Sequence, residues 1–174
     1  KQMGLSAEGY SLIIPYFNEG VTISSTINEY GIELNKLNLS YEIIIVDDGS
    51  MKQAKEYLCE TDYEYKLIIH RKNKGYGSAI ASGIESSIYE NIIITDSDNT
   101  YPAETISKMI QEYEQDIPSM VVAAREGRLA NIPLIRRPAK FFLRKLASYL
   151  CEYNIRDLNS GLRIFKKDFY IKYK

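Results

Sequence analysis

Short apolar runs alternate with longer stretches of helical period along this chain. Residues 10–15 (YSLIIP) form a continuous apolar run of strand length. Over residues 21–37, Ile23, Ile27, Tyr30, Leu34 and Leu37 recur three or four positions apart, one face of a helix. The same alternation predicts strands at 41–46, 65–70, 91–95 and 119–123, with helices at 51–60, 78–87 and 102–114. Pro102 falls in the first turn of the last of these. No repeat and no low-complexity segment interrupts the pattern. This order implies an α/β fold with a mostly parallel central sheet and helices on both faces.

In open sheets of that kind, ligands bind beyond the carboxyl ends of the strands. The chain places its polar clusters there. The first strand runs into Pro15-Tyr16-Phe17-Asn18-Glu19, the second into Asp47-Asp48-Gly49-Ser50, and the fourth into Asp96-Ser97-Asp98. Three polar strand ends meeting in one crevice predict a binding site.

Composition narrows the chemistry. The 174 residues suffice for one domain, and hydrophobic (45%) and charged (26%) usage is that of a globular protein. No apolar run reaches the roughly 20 residues of a membrane span, and the start lacks a signal-peptide pattern. Cys59 and Cys151 have no metal-ligand spacing and read as reduced thiols, which points to a cytoplasmic protein. A single histidine excludes a multi-histidine metal site, so oxygen ligands must dominate. The net charge of −1 hides an asymmetry. Residues 1–126 hold 10 Lys/Arg against 20 Asp/Glu, whereas residues 127–174 hold 12 against 3. An acidic part suited to a cation thus precedes a basic part suited to an anion, although two surfaces that merely balance would give the same count.

Each cluster alone has a plain structural reading. Asp96 and Asp98 repel one another unless a cation lies between them, and Mg²⁺ or Mn²⁺ would suit two carboxylates; such a pair also occurs in solvated loops. The DDGS segment suits a helix cap and turn, or a carboxylate that accepts from a nucleobase N–H. Asn73-Lys74-Gly75-Tyr76-Gly77-Ser78 precedes a helix whose amides would meet phosphate or ribose, but it lacks the Gly-Lys-Ser/Thr ending of a Walker loop.

The ordered set PYFNE, VDDGS, NKGYGSA, TDSDNTYP and Asp157-Leu158-Asn159-Ser160-Gly161-Leu162-Arg163 is more specific than any member. Together, over roughly residues 10–170, it resembles the family 2 glycosyltransferases of GT-A fold, and within them the polyprenyl-phosphate sugar transferases that include dolichyl-phosphate mannose synthases. The resemblance implies a nucleotide-diphosphate sugar donor (UDP- or GDP-linked), a divalent cation (Mg²⁺ or Mn²⁺) and a dolichyl or undecaprenyl phosphate acceptor. It implies a donor site of Pro15, Tyr16, Asn18, Glu19, Asp48, Gly77, Ala79, Ser97 and Arg163, with Asp48 at the base or ribose. Asp96 and Asp98 match the metal ligands, and Arg125 and Arg136 the grips on the acceptor phosphate. Such relatives often carry glutamine two positions beyond the second aspartate; here Thr100 takes that place, so its hydroxyl or a water would stand in.

Between Gly127 and Cys151 lie six basic residues and no acid, interleaved with Leu134, Ile135, Phe141, Phe142, Leu143 and Leu146. That makeup suits a helix lying among anionic headgroups, or a core-packed helix with a solvated basic face. Residues 1–126 are therefore expected to form the nucleotide-sugar part of one GT-A domain. Residues 127–174 are expected to form an acceptor- and membrane-facing arm, cut short at its end, of a peripheral protein at the cytoplasmic membrane face. No nucleic-acid partner is expected. Two other functions stay open: a family 2 enzyme acting on a saccharide hydroxyl, for which Asp157 or Glu152 would serve as base, and a non-catalytic nucleotide-binding or receiver-like domain.

Overall fold

The computed structural model describes residues 9–58, 61–116, 120–124 and 160–173. Six strands form one sheet: β1 (Tyr10–Tyr16), β2 (Tyr41–Asp47), β3 (Lys66–Ile69), β4 (Asn91–Ile94), β5 (Met120–Val122) and β6 (Arg163–Lys166). Their order across the sheet is β3-β2-β1-β4-β6-β5. β1 to β4 are mutually parallel, and β6 runs antiparallel between β4 and β5. A strand from the chain's last described segment thus lies inside the sheet, one place from its edge.

Period-two alternation sorts side chains to the two faces. Leu12 and Ile14, Ile43 and Ile45, Ile93, and Ile164 pack on one face with the inner sides of α1 (Thr22–Lys36) and α3 (Glu104–Asp116). Ile13, Ile44 and Val46, Ile92 and Ile94, and Phe165 pack on the other with Ala79 and Ile84 of α2 (Tyr76–Ser86) and, more loosely, with Tyr170 of α4 (Lys167–Tyr173). Ile23, Ile27, Tyr30 and Leu34, the predicted inner face of α1, are all buried. A sheet buried on both faces explains why its central strands read as unbroken isoleucine runs.

Two expectations need correction. The predicted helix at 51–60 is a single 3-10 turn at Ala54–Glu56. The Asp47 carboxylate accepts from the Ser50 and Ala54 amides at 2.9 and 2.8 Å, which bends the segment into a loop and leaves little to fold as helix. In addition, the apolar pattern predicts no strand after 119–123, yet Arg163–Lys166 forms β6. Its pairing partners lie about 70 and 40 residues earlier, and no local signal announces them.

Candidate functional site

The sheet changes its direction of winding between β1 and β4, so the loops leaving those strands open a crevice at their carboxyl ends. The β1 and β2 loops are joined. Asp48 N–H donates to the Tyr16 carbonyl at 2.9 Å, Asn18 N–H to Ser50 Oγ at 3.0 Å, and Met51 N–H to Asn18 Oδ1 at 3.0 Å. Asn18 adopts a left-handed backbone (φ 56°), which asparagine tolerates. Its side-chain carbonyl is thereby committed to the neighbouring loop.

Across the switch point, Ser97 Oγ donates to Glu19 Oε2 at 2.7 Å. Glu19 reaches solvent, yet partial desolvation raises its carboxyl above the usual pKa. Asp98 and Asp96 add to the rise, and the Ser97 hydroxyl opposes it. The β4 loop is fastened to α1 as well: Thr26 Oγ1 lies 3.1 Å from the Ser97 carbonyl oxygen and 2.6 Å from Asn99 Oδ1. Beneath it, Thr95 Oγ1 donates to Tyr30 Oη at 2.9 Å, and burial pushes the Tyr30 hydroxyl up to about 12. The loop therefore rests on a fixed floor.

Asp96 is half-buried and Asp98 exposed. Thr100 donates both its amide, at 3.0 Å, and its hydroxyl to Asp98 Oδ1. Thr100 thus orients the second aspartate of the pair. Tyr76, at the start of α2, donates its hydroxyl to Asp96 Oδ1 at 3.2 Å. Partial burial and then the Asp96 carboxylate push the Tyr76 hydroxyl above its ordinary pKa, while the Arg163 charge acts in the opposite sense. Arg163 is held by its Nε–H, which donates to the Ser160 carbonyl at 2.8 Å. The turn before it is locked to Tyr101. Gly161 N–H donates to Tyr101 Oη at 2.8 Å, and Ser160 Oγ lies 3.0 Å from the same oxygen. A Cβ on Gly161 would stand 1.8 Å from Asp96 Oδ2, so only glycine lets this turn lie against the carboxylate.

Asp48 is buried (3% exposed) and accepts from Lys74 N–H at 3.0 Å and Gly75 N–H at 2.8 Å. Burial alone would raise its pKa. The hydrogen bonds from His70, Lys74 and Gly75 outweigh that and hold it below the usual carboxylate value. Gly49 (φ 76°) lets the same loops close, since a Cβ there would meet the Lys72 and Asn73 backbone at 2.5–2.6 Å.

The structure thus brings Asn18, Glu19, Asp48, Asp96, Ser97, Asp98 and Arg163 to adjoining loops at one end of the sheet. Gly77 opens α2 onto open space, with nothing within 4 Å of a Cβ. Three expected residues lie deeper. Pro15 is buried, the Tyr16 ring packs in the α1–α3 core, and the Ala79 methyl is buried beneath α2. These three shape the site from below, and their side chains do not line it. Arg125 and Arg136, the basic stretch around Lys140 and Arg144, and Glu152 and Asp157 lie outside the described residues. Sequence reasoning missed Tyr101, Thr26, His70 and Ser82, whose partners are distant in the chain. Among the described residues no three His, Cys, Asp or Glu side chains gather as a metal cage, and no helix is long and apolar enough to cross a membrane.

The description Glycosyl transferase family 2 matches residues 11–174. The chain belongs to that family. It is 32% identical to the UDP-N-acetylglucosamine–dolichyl-phosphate N-acetylglucosaminyltransferase of Methanococcus voltae, over 90% of this chain and 68% of the relative. It is also 32% identical to the undecaprenyl-phosphate 4-deoxy-4-formamido-L-arabinose transferase of Pectobacterium atrosepticum, over 68% of this chain but 38% of the relative. A mannosyltransferase of Pyrobaculum calidifontis, solved with GDP-Man and Mn²⁺, shares the fold at a TM-score of 0.67 and 17% identity, over 95% of this chain and 46% of that one. The fold is therefore that of the GT-A glycosyltransferases, and the chain spans from about a third to two thirds of its curated relatives' lengths.

Proposed function

We propose that this chain carries the donor site of a transferase that moves a sugar from a nucleotide-diphosphate sugar to a polyprenyl phosphate. The observation that carries the reading is the crevice at the β1/β4 switch point. There Asp96 and Asp98 present carboxylate oxygens, and the first turn of α2 stands open beside them. The named relatives act on dolichyl and undecaprenyl phosphates, which favours the lipid acceptor.

The donor set fits a divalent cation. Both side chains are carboxylates, Gly161 leaves room for one and Thr100 orients the other, and hard cations prefer such oxygens. Bound there, Mg²⁺ or Mn²⁺ would offset the charge that develops on the leaving diphosphate. The protein's own part is orientation. Asp48 and the Lys74–Gly75 amides would set the nucleoside end, the α2 amides near Gly77 would face phosphate, and Arg163 adds positive charge nearby. A phosphate acceptor is anionic near neutral pH, so its oxygen can attack the anomeric carbon as the bond to the diphosphate breaks, with inversion and without a general base. The basic stretch 127–151 would serve peripheral attachment to an anionic membrane face.

The test is calorimetry with UDP and GDP in Mn²⁺ or Mg²⁺, followed by transfer to a short polyprenyl phosphate. Asp98→Asn keeps an oxygen for Thr100 but loses a charge, so it should abolish metal-dependent binding and leave the fold intact. Equal affinity in that variant, with or without chelator, refutes the metal site. Transfer to a saccharide hydroxyl and not to the lipid phosphate refutes the acceptor.

A further inference from the structure

The chain's single histidine closes a buried series of hydrogen bonds beside the crevice. His70 follows β3 directly and is 6% exposed. Its Nδ1 lies 2.6 Å from Asp48 Oδ1 and its Nε2 lies 2.9 Å from Ser82 Oγ on α2. An ionised carboxylate only accepts, so the ring nitrogen facing Asp48 must carry the hydrogen. In the neutral ring Nε2 then holds a lone pair, and the Ser82 hydroxyl donates to it.

We propose that His70 is a positioning residue for the nucleotide: held between Asp48 and Ser82 with its hydrogen on Nδ1, it fixes the Asp48 carboxylate so that the Lys74–Gly75 segment is set before a nucleotide arrives. The proposal rests on the reading that this crevice takes a nucleoside diphosphate. Two adjacent aspartates divide the work. Asp47 accepts from Ser50 and Ala54 of its own loop, whereas Asp48 reaches across to Lys74 and Gly75 of the next crossover. Gly75 (φ 93°) is the residue at which the chain turns into α2. Whatever fixes Asp48 therefore fixes the entry of the helix that faces the donor. The backbone of Asp48 is secured by its bond to Tyr16, and of the three partners that hold its carboxylate only His70 comes from outside the Lys74–Gly75 segment, on a buried ring tied to β3. Ser82 on α2 completes the tie between β2, β3 and that helix. A loop ordered in advance spares the ligand the cost of ordering it.

The test uses the full chain, first without ligand. Long-range nitrogen–proton spectra should show hydrogen on Nδ1 of His70. His70→Ala should speed exchange of the Lys74 and Gly75 amide hydrogens and weaken UDP or GDP binding in Mn²⁺ by about tenfold or more, as befits loss of a hydrogen bond to a charged group. His70→Asn, whose amide can donate from nearly the Nδ1 position, should restore both toward the parent. An Nδ1 without hydrogen overturns the proposal, as does parental exchange at Lys74 and Gly75 in His70→Ala. It is equally overturned if exchange quickens while nucleotide affinity stays the same, or if His70→Asn is no better than His70→Ala. Should His70→Ala fail to fold, the ring spectrum of the parent and the exchange pattern of His70→Asn decide. If the parent binds neither UDP nor GDP, the functional reading falls instead, and the ring and exchange data still decide whether His70 holds the loop.

Discussion

Gly161→Ala separates packing from ligand positioning at the crevice. The new methyl would lie 1.8 Å from Asp96 Oδ2, 2.4 Å from its Cγ and 2.8 Å from Oδ1, where ordinary contact begins near 3.4 Å. The backbone of the turn cannot retreat. Gly161 N–H is bound to Tyr101 Oη, and the next carbonyl, that of Leu162, accepts from Ala123 N–H at 3.1 Å. The carboxylate must therefore rotate, and in doing so it leaves the Tyr76 hydroxyl. Overpacking of this kind costs about 1–3 kcal/mol, and the stiffer unfolded chain returns about 0.4–1, so stability should fall by roughly 1 kcal/mol. Divalent-ion affinity should suffer more, because half of the carboxylate pair has moved. Disturbing the residues that orient a metal ligand typically costs about 10–100-fold in affinity. Urea unfolding reads the first quantity, and calorimetry with Mn²⁺ and GDP or UDP reads the second. Parental metal affinity in a folded Gly161→Ala protein would refute the reasoning, since it would mean that Asp96 can shift without consequence.

Gly77→Ala tests the opposite case: no protein atom opposes the new methyl, and helix propensity should raise stability by up to about 1 kcal/mol, while nucleotide affinity falls because the methyl fills space reserved for phosphate. Unchanged calorimetric affinity would show that α2 does not approach the ligand. Asp48→Asn should lower stability most near neutral pH. The folded pKa of Asp48 is depressed, so its stabilisation is full above the unfolded value and fades as pH falls through the folded one. Parallel urea titrations of parent and variant should converge in acid, and a gap that is constant with pH refutes the assignment.

How much of this was legible in the chain depended on whether the deciding contacts were local. Isoleucine runs and the spacing of Ile23, Ile27, Tyr30 and Leu34 are read from neighbours in sequence, and they placed the parallel strands and α1 within a residue or two of their observed ends. Strand ends in a parallel sheet all face one way, so the polar clusters after β1, β2 and β4 could be assigned to a single crevice before any contact was known. β6 escapes because its two neighbours in the sheet, β4 and β5, are remote in sequence, and a four-residue strand with only Ile164 and Phe165 buried carries too little pattern to announce itself. The 51–60 helix failed for a related reason: one carboxylate, Asp47, outbid a weak apolar face for the backbone amides.

The same distinction runs through the site. Asp96 and Asp98 stand out by being charged and close in sequence; Thr100 orients Asp98 locally, but what sets the geometry of Asp96 is neutral and remote: Tyr76 twenty residues before it, and Gly161 against it from the turn before β6. Asp48 was expected to meet the nucleoside directly. In the fold its carboxylate is already engaged by Lys74, Gly75 and His70, so any contact it makes with a nucleoside must use the acceptor capacity those bonds leave on Oδ2. Residue type announces where charge can act, and the hydrogen-bond partners decide how much of that charge is left for a ligand.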